Sequence, residues 1–276
     1  MAAIITLTTD FGLADGFAGI MKGVILGLAP GTTVVDLSHL VPPQDIRQAG
    51  LVLAAAFRYF PAGTVHVAVV DPGVGSDRRV VAVAAAGQTF LAPDNGLLSP
   101  VLRQAPADQA VALDRPELYL SSLSRTFHGR DLLAPVAARL ASGWPLAAVG
   151  SPVSPDSLVQ LAWPEPRLDL LAGEAAGEII AIDHFGNCAT NLTPAHGQAL
   201  LAGHEGATLE AVCRGRSLGS PQTCYAAVTE GAPLVLVNSR NLLEIAVRNG
   251  HAAGALGLAI GTPVELRRRP LPQPGR

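Results

Sequence analysis

Three aspartates and one histidine stand where turns of the backbone can bring side chains to a ligand. Asp10 ends the run TLTTD ahead of Phe11-Gly12, Asp71 opens DPGVG, and Asp94 lies in APDNG. Each follows a β-like stretch and sits among Gly or Pro, where the chain turns sharply and can come close to a bound group. A single Asp in a turn commonly bonds its own backbone, but three at the same edge of one sheet point to a site. The segment TFHGRD adds His128, Arg130 and Asp131 at a loop-to-helix transition, a common seat of function. Arg78 and Arg79 follow Asp71 by seven and eight residues, a spacing that can fold a guanidinium back over the carboxylate and hold it ionised. Asp15 is open to two uses, as a helix N-cap or as a ligand contact.

Two chemistries fit this set. The carboxylates and His128 could ligate a divalent metal and activate water, which requires several carboxylates to converge on one point. Alternatively they could bind sugar hydroxyls and an amine without a metal, spread along an elongated pocket. Spacing alone leaves both open.

The elements that must position these residues alternate in type. Ile4 to Thr8 reads as a strand. Asp15 precedes a helix with Phe17, Ile20, Met21, Val24 and Leu28 on one face. Thr33 to Leu37 is a second strand, and Asp45 opens a helix through Leu51, Ala55 and Phe57. Val65 to Val70 is a continuous apolar run, as expected of a strand buried on both faces. Val80 to Ala84 and Thr89 to Leu91 follow as strands, and Asp131 to Leu140 as a helix with Pro135 in conflict near its start. This alternation predicts an α/β domain with a mainly parallel central sheet. Pro152, Pro155, Pro164 and Pro166 then mark a linker. Beyond it, Gly177 to Ile182, Ala207 to Val212, Pro233 to Val237 and Leu242 to Val247 read as short strands with Gly-rich turns, which predicts a smaller β-barrel domain. The expected division is 1–165 and 166–276.

Composition narrows the class. A net charge of −3 without a basic stripe argues against a nucleic-acid partner. Arg267-Arg268-Arg269, beside Pro270 and Pro272, reads as a solvated tail. No signal-peptide pattern opens the chain, and the apolar stretches end well short of the roughly 20 residues that cross a bilayer. Cys188, Cys213 and Cys224 are odd in number and lack CxxC spacing, which fits packing positions in a reducing compartment. The expectation is a cytoplasmic protein with no membrane partner.

The segments TLTTDFGLADGFAGIMKGVI, VVDPGVGSDRR, APDNGLLSP, TFHGRDLLAPVAA, IDHFGNCATN and VNSRNLLEIAV occur in an order that resembles the S-adenosyl-L-methionine (SAM) hydroxide adenosyltransferases, relatives of the fluorinase and chlorinase enzymes. The resemblance runs from Ile4 to about Asn249. It implies an enzyme that hydrolyses SAM to adenosine and methionine by attack of water at the ribose C5′. SAM is then substrate rather than cofactor, and no metal is needed. It also implies an N-terminal α/β domain, a C-terminal β barrel, and a homotrimer with active sites at subunit interfaces.

By the same resemblance, Asp71, Arg78 and His128 hold the attacking water, Asp10 binds the ribose diol, and Asp15 lies near the methionine amine. Asn187, Tyr225, Ser239, Arg240, Glu244 and Val247 fall at positions that line the adenine and methionine ends, with Tyr225 the adenine-stacking group. The turn NSRN departs from the small-residue turn of the hydrolases and is similar to the halogenase pattern at Ser239-Arg240. Retention of Asp71, Arg78 and His128 favours water over halide. So does the direct passage from Val80–Ala85 through Ala86-Gly87-Gln88 into Thr89, where the fluorinase carries an insertion. Within the set, Arg78 is expected to lower the Asp71 pKa and suit it to orienting water. His128, with an ordinary pKa near 6.5, is the expected proton acceptor.

Overall fold

Ile4–Thr9 (β1) is built to be buried on both faces, with Ile5 and Leu7 on one side and Thr6 and Thr8 on the other, all fully buried. It lies near the middle of the first of two units into which the chain divides, Met1–Ala162 and Trp163–Arg276. A computed structural model describes residues 3–270.

In the first unit β1 pairs in parallel with Thr33–Ser38 (β2) and Val65–Val69 (β3). Val80–Ala85 (β4) turns back through Ala86 and Gly87 into Gln88–Pro93 (β5), which is parallel to β3 and antiparallel to β4. Both turn residues have positive φ, 52° and 71°, the geometry a two-residue hairpin needs to match strand twist. Gln109–Ala112 (β6) and Ser151–Val153 (β7) complete the sheet, both antiparallel. The order is β2-β1-β3-β5-β4-β6-β7. The sheet is therefore mixed, parallel in its first half and antiparallel in its second, and not mainly parallel as the alternation of elements suggests. Strand β7 also lies in the stretch that its prolines mark as a linker.

Helices cover both faces. Phe17–Leu28 (α1) buries Ala18, Met21 and Ile25 at helical spacing. With Ala134–Ala141 (α4) it closes one core over Ile5, Leu7, Val67 and Val69. Ile46–Ala56 (α2) begins at Asp45, whose side chain accepts the Gln48 N–H at 2.9 Å. It packs with Ser99–Leu102 (α3) on the opposite core around Phe57, Phe90 and Val83. Pro135 sits within the first two positions of α4. A single π-helical turn, Gly129–Leu133, precedes it.

The second unit is an eight-stranded antiparallel sheet. Arg167–Asp169 (β8), Glu174–Ile182 (β9), Cys188–Thr190 (β10), Ala207–Cys213 (β11), Arg216–Gly219 (β12), Pro233–Val237 (β13), Leu243–Val247 (β14) and Pro263–Pro270 (β15) form the path β12-β11-β15-β9-β10-β14-β13, with β8 beside β9. A bridge between Gln222 and Leu236 links the two ends, so the sheet is nearly barrel-shaped. Pro194–Leu201 (α5) and Ala252–Leu256 (α6) help close a core of Ile179, Leu192, Leu200, Val235, Ile245 and Leu266. Arg267, Arg268 and Arg269 are not a solvated tail. They belong to β15, between β11 and β9, where Arg267 pairs with Glu174 and Glu265 and Arg269 with Glu210. The three cysteines are free, Cys188 and Cys213 buried and Cys224 exposed. Among the described residues no helix is long and apolar enough to cross a membrane.

Candidate active site

Register decides which side chains meet in the first unit. Thr9 of β1 pairs with Val69 of β3, so Asp10 and Asp71 leave the carboxyl ends of neighbouring parallel strands. The helix after β1 and the helix after β2 go to opposite faces of the sheet. That makes the edge between β1 and β3 the crevice where open α/β sheets bind ligands.

Asp71 and Arg78 fold together as the spacing predicts. The Arg78 Nε–H reaches both Asp71 oxygens at 2.8 Å, and Nη2 bonds Oδ2. The same Nη2 donates to His128 Nδ1 at 2.9 Å. A nitrogen that accepts cannot carry a proton, so His128 is the neutral tautomer protonated on Nε2. Its pKa lies below 6.5, because burial and the Arg78 charge outweigh the opposing pull of Asp71, Asp131 and the Ser124 backbone. With Nδ1 occupied by Arg78, His128 is poorly placed to take another proton, in contrast to its expected role as acceptor. The Asp71 and Arg78 side chains are only 6% and 12% exposed.

Two loops hold this set. Arg78 lies in the turn after β3, where Gly75 adopts φ +81°. His128 precedes the π-helical turn, a deformation frequent at functional sites. Within that turn Asp131 is fully buried and accepts the Ser124 N–H at 2.7 Å while pairing with Arg130. Burial alone would raise the Asp131 pKa, but the Arg130 and Ser124 donors more than offset this and hold it low. Phe11, Phe17 and Phe127 pack edge to face at 5.2–5.8 Å, tying the loop after β1 to the loop before His128.

The remaining aspartates separate. Asp10 accepts the Gln44 N–H on Oδ2 at 2.8 Å. Asp94 is buried and occupied by Arg79 and the Val159 N–H, so APDNG clamps the 157–161 segment and does not join Asp71. Asp15 is exposed, and α1 starts at Phe17 with no side-chain cap. The carboxylates thus do not converge. Among the described residues no group of three or more His, Cys, Asp or Glu side chains is placed to hold a metal ion.

In the second unit Glu244 on β14 is buried and accepts from the Tyr225 hydroxyl at 2.8 Å and from Asn238 Nδ2 at 3.0 Å. Burial and the Glu244 carboxylate push the Tyr225 phenol up to about 12. Asn238 also accepts the Arg240 and Leu242 N–H groups and so shapes the turn that carries the exposed Ser239 and Arg240. Sequence reasoning passed over it, although an Asn opening a tight turn is a recognisable signal. Asn187 lies in a loop built on Asp183, which accepts from Asn187 N and Phe185 N at 2.9 Å. Val247 is buried in the core at the end of β14.

Models of the SAM hydroxide adenosyltransferase N-terminal domain and C-terminal domain match residues 5–150 and 177–265. The chain belongs to the SAM hydroxide adenosyltransferase family. Within this family it is 42% identical over 262 residues to an (R)-S-adenosyl-L-methionine hydrolase of Salinispora arenicola, an alignment covering 93% of this chain and 95% of that one. It is 41% identical to a protein of the same name from Thermus thermophilus, covering 94% and 97%. A fluorinase of an Actinoplanes species is 29% identical, covering 95% and 96%. A solved structure of a conserved Thermotoga maritima protein superposes with a TM-score of 0.87 at 32% identity, covering 97% of this chain and all of that one.

Proposed function

We propose that this protein hydrolyses S-adenosyl-L-methionine to adenosine and L-methionine. Water attacks the ribose C5′, the C5′–S bond breaks, and its electron pair returns to sulfur, which leaves as a neutral thioether. The observation that carries this reading is the Arg78 fork joining Asp71 to His128 in a chain 41–42% identical to proteins named as hydrolases of this substrate.

In this mechanism Asp71 and Arg78 hold water in line with the C5′–S bond. Such positioning can supply about 7–11 kcal/mol of the barrier. The alcohol formed on attack by neutral water is protonated, and so a far stronger acid than any carboxylic acid. A carboxylate is basic enough to take that proton, and the engagement of His128 Nδ1 by Arg78 supports Asp71 in this role. His128 then acts by accepting from Arg78 and fixing the guanidinium plane. The leaving group is already activated by its positive charge, so the chemistry needs no metal.

Asp10 binds the ribose diol, and Asp15 faces the methionine amine. Asn187, Tyr225, Ser239, Arg240, Glu244 and Val247 serve the adenine and methionine ends. The working form is a homotrimer, with active sites at subunit interfaces and a barrel as its C-terminal domain, in the cytoplasm. Sedimentation of the purified protein tests the trimer. Incubation with SAM in chloride-free buffer containing a chelator, followed by chromatography, tests the activity. Equal amounts of adenosine and methionine are expected. Intact SAM, or activity only when metal or halide is restored, contradicts it.

A further inference from the structure

Behind Asp10 lies a chain of polar groups, buried at Thr9 and His39 and reaching the surface at Asp36 and Lys22, for which the proposed chemistry has no use. Thr9, fully buried, places Oγ1 2.8 Å from His39 Nδ1 and accepts the Phe11 N–H at 3.2 Å. A hydroxyl both donates and accepts, so the contact with Nδ1 holds in either tautomer of His39. Nε2 stands 3.0 Å from Asp36 Oδ1, an ion-pair distance, although off the line of a good hydrogen bond. Asp36 in turn takes the Lys22 ammonium at 2.5 Å. The chain therefore runs from α1 through β2 to the last residue of β1.

Hydroxyl, imidazole and carboxylate in this order resemble a nucleophilic triad. Burial excludes that use: Thr9 is 0% exposed and His39 3%, so no substrate atom reaches the hydroxyl. What the chain does control is the backbone on either side of Asp10. The His39 carbonyl accepts the Gly12 N–H at 2.8 Å, and the Thr9 carbonyl lies 3.4 Å from the Val41 N–H. Farther along the same segment Gln44, a non-glycine residue at φ 66°, delivers its N–H to Asp10 Oδ2. Left-handed backbone at such a residue is strained and persists only where its surroundings impose it. Residues 36–44 thus grip the turn that carries Asp10 at both ends and at its carboxylate.

We infer that Thr9 and His39 are positioning residues that set the Asp10 carboxylate for the ribose diol, with Gln44 fixing one of its oxygens. This rests on the reading of Asp10 as the ribose ligand. The chain acts on recognition of the sugar hydroxyls and not on the water-holding set around Arg78.

The test compares adenosine with 2′,3′-dideoxyadenosine, which lacks both hydroxyls, by calorimetric titration of the full-length protein. The wild type is expected to bind adenosine at least tenfold more tightly than the dideoxy compound, and Asp10→Asn to bring that ratio near one. Thr9→Val, nearly isosteric but without the hydroxyl, is expected to cut the ratio at least threefold, and Thr9→Ser to restore it. In an Asp10→Asn background Thr9→Val adds nothing. Should Thr9→Val fail to fold, His39→Ala takes its place, with His39→Asn, which keeps an acceptor near Nδ1, as its rescue. A general packing defect weakens both ligands alike, leaves the ratio at its wild-type value and overturns the inference. A wild type without preference, or an Asp10→Asn that keeps it, overturns the reading of Asp10 and the inference with it.

Discussion

A β-carbon on Gly75 would stand 2.6 Å from the backbone carbonyl oxygen of Arg125. The turn that carries Asp71 and Arg78 and the loop that leads into His128 are in contact because Gly75 has no side chain. Gly75→Ala meets both this carbonyl and the strain of φ +81°. We expect a loss of about 1–3 kcal/mol in denaturant unfolding, with turnover falling more than stability alone explains as Arg78 and His128 are driven apart. Unchanged kcat would show that the two loops need not touch.

The Arg78–His128 contact sets the response to pH. His128 accepts from Arg78 only while neutral, and its pKa lies below 6.5. The kcat/KM profile should therefore fall on the acid side with its midpoint below 6.5, as the ring protonates and must turn away from the guanidinium. Asp131 raises this pKa, so Asp131→Asn shifts the limb to still lower pH. Arg78→Lys cannot hold carboxylate and imidazole together in one plane and is expected to lower kcat about 100-fold or more, while His128→Ala and Asp71→Ala lose turnover but still bind SAM.

His66 governs acid stability away from the site. It is fully buried and stacked on Phe90 at 4.9 Å. Thr6 lies 2.7 Å from Nδ1 and Gln88 Oε1 3.0 Å from Nε2. Gln88 spends its amide hydrogens on the Phe57 and Phe60 carbonyls, so its oxygen faces the ring, Nε2 carries the proton and Nδ1 accepts from Thr6. A second proton, on Nδ1, would have only the Thr6 hydroxyl to meet it, and burial lowers the pKa to about 4. Between pH 6.5 and about 4 the unfolded chain binds a proton that the folded chain does not. Stability therefore falls as pH falls through that window, by on the order of 3 kcal/mol in all. His66→Asn, which does not titrate, should lose this slope in unfolding measurements between pH 4 and 7.

Much of this was legible in the chain. Strand ends at Asp10 and Asp71, the return of Arg78 onto Asp71, and the cap at Asp45 follow from local pattern and spacing. Strand direction does not. A buried apolar run such as Val80–Ala85 reads the same in a parallel or an antiparallel ladder, and only pairing with Gln88–Pro93 decides. Arg267–Arg269 reads as solvated because two of its carboxylate partners, Glu174 and Glu210, are far away in sequence. The Thr9–His39 contact was hidden for the same reason: thirty residues separate two polar groups that a single register brings together.

In the second unit Glu244 is held, among the described residues, by two neutral donors and by no cation in its hydrogen bonds. Tyr225→Phe removes one donor from a buried carboxylate. The expected cost is about 1–3 kcal/mol of stability at neutral pH, with weaker binding of SAM, read by denaturant unfolding and by titration calorimetry. Because Phe keeps the stacking ring, wild-type affinity in this variant would remove only the hydroxyl from the proposed substrate contacts, and wild-type affinity in Tyr225→Ala would remove the ring as well.

The most direct measurement follows the oxygen atom. SAM is incubated with the enzyme in water enriched in oxygen-18, and the adenosine formed is analysed by mass spectrometry. Attack of water at C5′ places one heavy oxygen in the 5′-hydroxyl of every adenosine, with unlabelled methionine as the other product. Unlabelled adenosine, or S-adenosylhomocysteine with labelled methanol in its place, would contradict displacement at C5′ and the role assigned to Asp71, Arg78 and His128.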